Sequence, residues 1–247
     1  MEKPTTCLNC NSPLYSGSNY CSECGQEVKG NINTFKDFLN HFLKDYFTYD
    51  NKLIKSLVPL FNKPGHLTKE FFAGRRVRYI APLRLYIFIS IVFFLMLNWF
   101  GSDGSSAVTD ESAFWDSFFG NYLPKIFFLL LPLFALIMLP LYLKLKASYV
   151  KHFVFALHFH SFLFLATLLY LLISELFQSL DLLIINQVLA AILSLLILLY
   201  LFFSLLRVYR QHIGTTLLKF FVLLLVYFGI LSLVTVVSAL LISSWAA

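Results

Sequence analysis

Four cysteines are the residues of this chain whose type and spacing define a chemistry most directly. They stand as Cys7-Leu8-Asn9-Cys10 and Cys21-Ser22-Glu23-Cys24, two C-x2-C pairs separated by ten residues, and the apolar remainder of the chain has none. In each pair the backbone turns so that both sulfurs face one point, and two pairs supply the four soft thiolates of a tetrahedral shell. Thiolates favour zinc over hard cations, and four sulfurs leave no open position for water or substrate. The spacing therefore predicts one structural Zn2+ held by Cys7, Cys10, Cys21 and Cys24. Gly25 follows the second pair, where such turns often need positive φ, and Asn11, the next most tolerant residue, holds the equivalent place after the first. The segment Pro13–Tyr20, with Gly17 and Ser18 as turn formers, is expected to return as a hairpin. Two disulfides are the alternative, which a cytoplasmic location disfavours. A redox dithiol would not need two pairs.

No second constellation of this kind is found. Gly-x-Ser-x-Gly, HExxH and a phosphate-cradling glycine loop are all missing, so no catalytic residue is assigned and the chain is expected not to be an enzyme. His158 and His160 lie in an apolar stretch, and two residues apart on a helix they point roughly 200° from one another. They cannot chelate one ion together, and a structural role is the simpler reading of both. Pro124, Pro132 and Pro140 fall in another apolar stretch, where Pro132 should kink the helix. Broken helices of that sort build transporter sites, and kinked packing helices have the same pattern.

The elements that must carry these residues are membrane helices. Hydrophobic residues make up 59% of the 247, charged ones only 13%, and mean hydropathy is +0.76, which excludes a disordered chain and an ordinary soluble domain. Stretches near the 20 residues of a bilayer span run Leu83–Phe100, Leu123–Leu143, Phe153–Phe177, Leu182–Leu206 and Leu217–Ser243, giving an all-α polytopic bundle of five transmembrane helices. Only about the first 80 residues remain outside, too few for a nucleotide-binding α/β domain. Lys144, Lys146 and Lys151 lie between the second and third spans, and Arg207, Arg210 and Lys219 between the fourth and fifth. The alternate loops hold Asp103, Asp110, Glu111 and Asp116, then Glu175 and Asp181. Positive charge on one side at every crossing predicts N-terminus in and C-terminus out. Met1 to Asn40 contains no signal-peptide core, in keeping with a cytoplasmic N-terminus. Phe114, Trp115, Phe118 and Phe119 have the spacing of a short helix on the outer surface.

Between cysteines and membrane, Phe35, Phe38, Leu39, Phe42, Leu43, Tyr46 and Phe47 form an amphipathic stripe with Thr34 as N-cap. A second stripe runs Leu53, Ile54, Leu57, Val58 and Phe61, and a third short helix is expected over Thr68 to Ala73, closed by Gly74. Their apolar face is expected on the inner leaflet or on the cytoplasmic ends of the spans. A small soluble helical bundle is the alternative. Arg75, Arg76, Arg78 and Arg84 crowd the membrane entrance; they are the candidate ligands for anionic headgroups, and setting topology alone would also explain them. Domain organisation follows as 1–30 zinc ribbon, 31–81 amphipathic helices and basic linker, 82–247 membrane domain. Gly229, Ser232, Thr235 and Ala239 form a small-residue stripe in the last span suited to tight helix contact or a homo-oligomer.

Cys24-Gly25-Gln26, Pro64-Gly65, and Gly74-Arg75-Arg76-Val77-Arg78-Tyr79 with Pro82 and Tyr86 give the first third of the chain a family look. It resembles uncharacterised bacterial membrane proteins, seen mainly in the Bacteroidota, with an N-terminal zinc ribbon before a domain of unknown function. Asn11 departs from the usual Cys-Gly ending of the first knuckle. The resemblance implies zinc and an inner-membrane location, and no activity. The expected function is a non-enzymatic membrane protein whose cytoplasmic ribbon recruits or senses a protein partner, with anionic lipids and no nucleic acid as its other contacts. A small transporter or channel beside the kinked second span is the rival.

Overall fold

The computed structural model describes residues 5–28, 34–39, 52–101 and 123–246. Seven helices of seven or more residues stand among them: α1 (Lys52–Asn62), α2 (His66–Phe72), α3 (Pro82–Gly101), α4 (Leu123–Leu141), α5 (Tyr149–Ser179), α6 (Leu183–Tyr209) and α7 (Ile213–Ala246). No strand occurs among the described residues; the N-terminal segment has two isolated antiparallel bridges, Thr6 with Pro13 and Tyr20 with Glu27.

Four of these helices are long and apolar enough to cross a membrane, over Pro82–Trp99, Tyr149–Ser179, Leu183–Tyr209 and Ile213–Val237. The second expected span is helical too, but its apolar part, Lys125–Leu141, is shorter. Helix α5 starts before the apolar stretch anticipated for it, and α6 runs on to Tyr209. Hydropathy marks where side chains suit lipid, whereas good helix formers such as Lys151 and Arg207 let the backbone hydrogen bonds continue past that border.

Helix α5 is the hub. It packs against α3, α4 and α6, while α7 closes on α4 and α6. From Val150 to Phe162 every residue but one of the first turn is buried, with Val154, Ala156 and Leu157 fully enclosed. The α5–α6 connection is tight, as its length implied: Asp181 adopts φ +55°, and the Leu182 N–H returns to the Phe177 carbonyl at 2.9 Å.

The amphipathic helices lie on the end of the bundle where α5 begins, here called the base. Helix α2 packs on α5 and α6, and α1 on α2 and α5. The buried side of α1 differs from the expected stripe: Ser56, Pro59 and Leu60 are enclosed, whereas Ile54 and Val58 are exposed. Polar bonds set that rotation. Ser56 Oγ accepts from the Ile80 N–H at 2.9 Å, and the Leu60 carbonyl accepts from the Tyr200 hydroxyl at 2.7 Å. The turn before α2 needs glycine twice over. Gly65 has φ +70°, and a Cβ there would sit 2.9 Å from the Ser204 carbonyl oxygen of α6.

Upstream, the helical turn over 35–39 begins as expected, with Thr34 Oγ1 accepting from the Asp37 N–H at 3.1 Å. Phe38 is buried against Phe71 and Phe153 at ring separations of 6.3 and 5.8 Å, so this aromatic face packs on the bundle end. The rest of that stripe, from Phe42 to Phe47, and the Phe114–Phe119 segment lie outside the described residues. In α7, Gly229 and Ser232 of the small-residue stripe are exposed, and Thr235 is half-buried.

Candidate metal centre and its seat on the helical base

The two cysteine pairs are built alike, fourteen residues apart. The Cys7 N–H bonds the Ser12 carbonyl at 2.8 Å as Cys21 bonds Gln26 at 2.9 Å; the Asn11 N–H returns to Cys7 at 2.9 Å as Gly25 returns to Cys21 at 3.0 Å. Asn11 and Gly25 have φ of 64° and 70°, the left-handed turn expected at both. Gly17, at φ +84°, turns the connecting segment.

All four Sγ atoms lie within 4.8 Å of one another. Cys7–Cys24 and Cys10–Cys21 are each 3.6 Å apart. Sulfurs about 2.3 Å from a central ion would be roughly 3.8 Å apart at the edges of a regular tetrahedron, close to the separation of these two pairs, so the donor set suits a four-thiolate ion. The cysteines are free, with no disulfide among them. Their surroundings are uneven: Ser12, through its hydroxyl and its backbone, draws the Cys10 thiol down to about 6, whereas burial pushes Cys24 up to about 12. Four sulfurs this close resist ionising together unless a cation sits between them, and an ion there would hold them as thiolates. Its contribution would be structural, fixing the two turns to one another.

The second knuckle is seated on the base by a residue that spacing did not single out for a role. Gln26 is 6% exposed, and its side-chain amide spans a loop far along the chain. Nε2 donates to the Gly74 carbonyl at 2.7 Å, and Oε1 accepts from the Arg76 N–H at 3.1 Å. The first knuckle adds a steric contact. Gly74 has φ +86°, and a Cβ at that position would fall 2.6 Å from Leu8 Cδ1. Glycine is thus demanded by its own turn, and a Cβ there would also push the Leu8 side chain aside.

The four arginines divide. Arg75 grips Glu70 with two nitrogens, Nη2 to Oε1 at 2.6 Å and Nε to Oε2 at 2.5 Å, and this bond holds the Glu70 carboxyl below its usual range. The guanidinium of Arg76 stands 5.7 Å from the Phe71 ring, and burial lowers its pKa. Arg78 is exposed, 5.8 Å from the Tyr79 ring, and Arg84 is half-buried in the first turn of α3. The expected arginine block is therefore not a single surface.

The histidines diverge as their spacing implied. His158 Nδ1 meets Thr68 Oγ1 of α2 at 2.9 Å, and His160 Nε2 meets the Tyr227 hydroxyl of α7 at 3.0 Å. A third, His152, was not singled out from sequence. Its Nδ1 is 2.7 Å from the Tyr209 hydroxyl, and Tyr142 stacks on Tyr209 at 3.9 Å. Each links α5 to a different neighbour.

Together these features define a helical protein with membrane-type spans and a four-cysteine cluster able to hold a metal ion. Residues 50–94 match the family described as Protein of unknown function (DUF3667). That stretch carries α1, α2, the Gly74–Tyr79 loop and the first part of α3. Comparison with curated proteins and with solved structures returns no match.

Proposed function

We propose that this is a non-enzymatic inner-membrane protein of bacteria whose zinc ribbon, fixed to the cytoplasmic base of a five-helix bundle, recruits or senses a cytoplasmic partner. The observation that carries this reading is the seating of Gln26 between Gly74 and Arg76. A ribbon held in one place presents a defined surface, which a tethered module would not. With the second knuckle facing the base, Tyr15 and Tyr20 of the hairpin are 79% and 57% exposed. Aromatic rings of this kind are common anchors in protein interfaces.

The fifth span in this reading is α4. Its 19 residues rise about 28 Å, close to the thickness of the hydrocarbon core, and it lies against α5. Five crossings with basic loops at the base put the N-terminus in the cytoplasm and the C-terminus outside. The exposed Ile54 and Val58 suit α1 to the inner interface, and in this reading exposed Arg78 and half-buried Arg84 meet anionic headgroups through their guanidinium tips. The open stripe at Gly229 and Ser232 offers a face for a second copy.

The test is co-purification from cross-linked membranes with and without residues 1–30. A partner captured by the full chain, lost on deletion and lost on replacing Tyr15 and Tyr20 by Ser, is the expected result. Unchanged capture without the ribbon would refute the assignment, and solute flux in proteoliposomes would favour a transporter instead.

A further inference from the structure

Helices α5 and α6 are antiparallel neighbours, yet their packing is incomplete on one side. A groove of about 520 Å³ runs between them, a volume in the range of sites that hold small ligands. Its walls are Leu169 and Ile173 of α5 and Leu189, Ile192 and Leu196 of α6. From Leu189 to Phe203 the lining follows α6 for about 21 Å, at 1.5 Å per residue, which exceeds the roughly 15 Å depth of one leaflet. Toward the base the lining of the groove becomes aromatic. Phe162 and Tyr200 stack with ring centroids 3.5 Å apart, and Phe61 meets Phe162 edge-on at 5.6 Å.

The mouth differs in character from the walls. Asn62 and Pro64, at the end of α1, line the groove there. One turn beyond Phe203, Arg207 Nη1 donates to the Pro64 carbonyl at 2.8 Å. Lys63 lies between the two lining residues, and both Lys63 and Arg207 are exposed. Burial above all opposes protonation of His66, and the charges of Lys63, Arg207 and Lys69 add to it against the pull of Glu70. Among the described residues, Glu70 is the acid that acts on His66, and Arg75 engages it. A long apolar slot that ends in cations at the level of the cytoplasmic headgroups matches one molecule in both parts.

We propose that the α5–α6 groove binds an anionic phospholipid of the inner leaflet, one acyl chain lying along the groove and the phosphate held at its mouth by Arg207 and Lys63. This site is separate from the arginine block at Gly74–Arg84 and rests on the membrane placement and orientation of α5 and α6 proposed above, not on the ribbon's role. The lipid would fill the gap between two helices and tie them to the turn after α1.

Full-length protein, delipidated in mild detergent, can be titrated with phosphatidylglycerol or phosphatidylcholine and followed by native mass spectrometry. Saturable binding of one phosphatidylglycerol is expected, with Lys63→Gln and Arg207→Gln together weakening it about tenfold. Leu196→Trp, which fills the slot from an exposed position, should weaken both lipids alike. Arg207→Lys retains the charge and serves as the folding control. Equal, unsaturable uptake of both lipids by all variants would overturn the proposal, as would full competition by inorganic phosphate alone, which would leave the groove without a role. A detergent-resistant dimer lost in Leu196→Trp would assign the groove to a second copy and also overturn it.

Discussion

Replacing Gln26 by Ala removes its two bonds to the base, to the Gly74 carbonyl and from the Arg76 N–H. Each is worth about 0.5–1.5 kcal/mol net, and a buried group left unpaired costs more. Here neither partner is wholly orphaned, because the Arg76 N–H also reaches the Gly74 carbonyl at 3.1 Å. The loss should therefore lie near 1–2 kcal/mol, or roughly 5- to 30-fold in the docking equilibrium. Hydrogen–deuterium exchange on the full chain in micelles reads it directly: amides of the Gly74–Tyr79 loop should exchange faster by that factor, with metal content unchanged. Gln26→Glu should do at least as much damage, since a carboxylate oxygen would face the Gly74 carbonyl. Unaltered exchange in both variants, with the metal retained, would show that the knuckle is not held by this residue.

Gly74→Ala should separate the same surfaces by a different route, through the cost of φ +86° and the clash with Leu8; limited proteolysis at the hairpin should rise while the spans stay inserted. Acid should loosen the loop on α2. His66 is held neutral by burial and Glu70 is held ionised by Arg75, so both folded pKa values are depressed. Their stabilisation is present above the ordinary values of 6.5 and 4.5 and is lost as pH falls below them; Glu70→Gln should abolish the lower step in a pH series of thermal melts, and an unchanged lower step would contradict it. A reporter active only outside the cytoplasm should be active when fused after Ala247 and silent after Lys146; silence at both sites, with a cytoplasmic reporter active after Ala247, would make the span count even and remove the five-span reading.

What could be read from sequence was local or periodic. The knuckles declare themselves because C-x2-C fixes two ligands within one turn, and Asn11 and Gly25 stand where that turn needs positive φ. The Thr34 cap and the α5–α6 turn are likewise short-range. The seat of the knuckles was not legible: Gln26 and Gly74 are 48 residues apart, and no pattern in either segment points to the other. The arginines show the same limit, since their crowding is visible in sequence, but Glu70, which claims Arg75, lies inside a short helix with no mark of that role. Helix α1 turned differently from its apolar stripe because Ser56 and the Leu60 carbonyl have polar partners on Ile80 and Tyr200.

The ribbon's place in this account rests on an ion at the four cysteines, and elemental analysis of freshly purified chain tests that most directly. One zinc per chain is expected, since the four thiolates close a single tetrahedral shell, and Cys21→Ser should lose it while the membrane helices remain folded. Protein that contains no zinc, or Cys21→Ser protein that retains a full equivalent, would contradict the account.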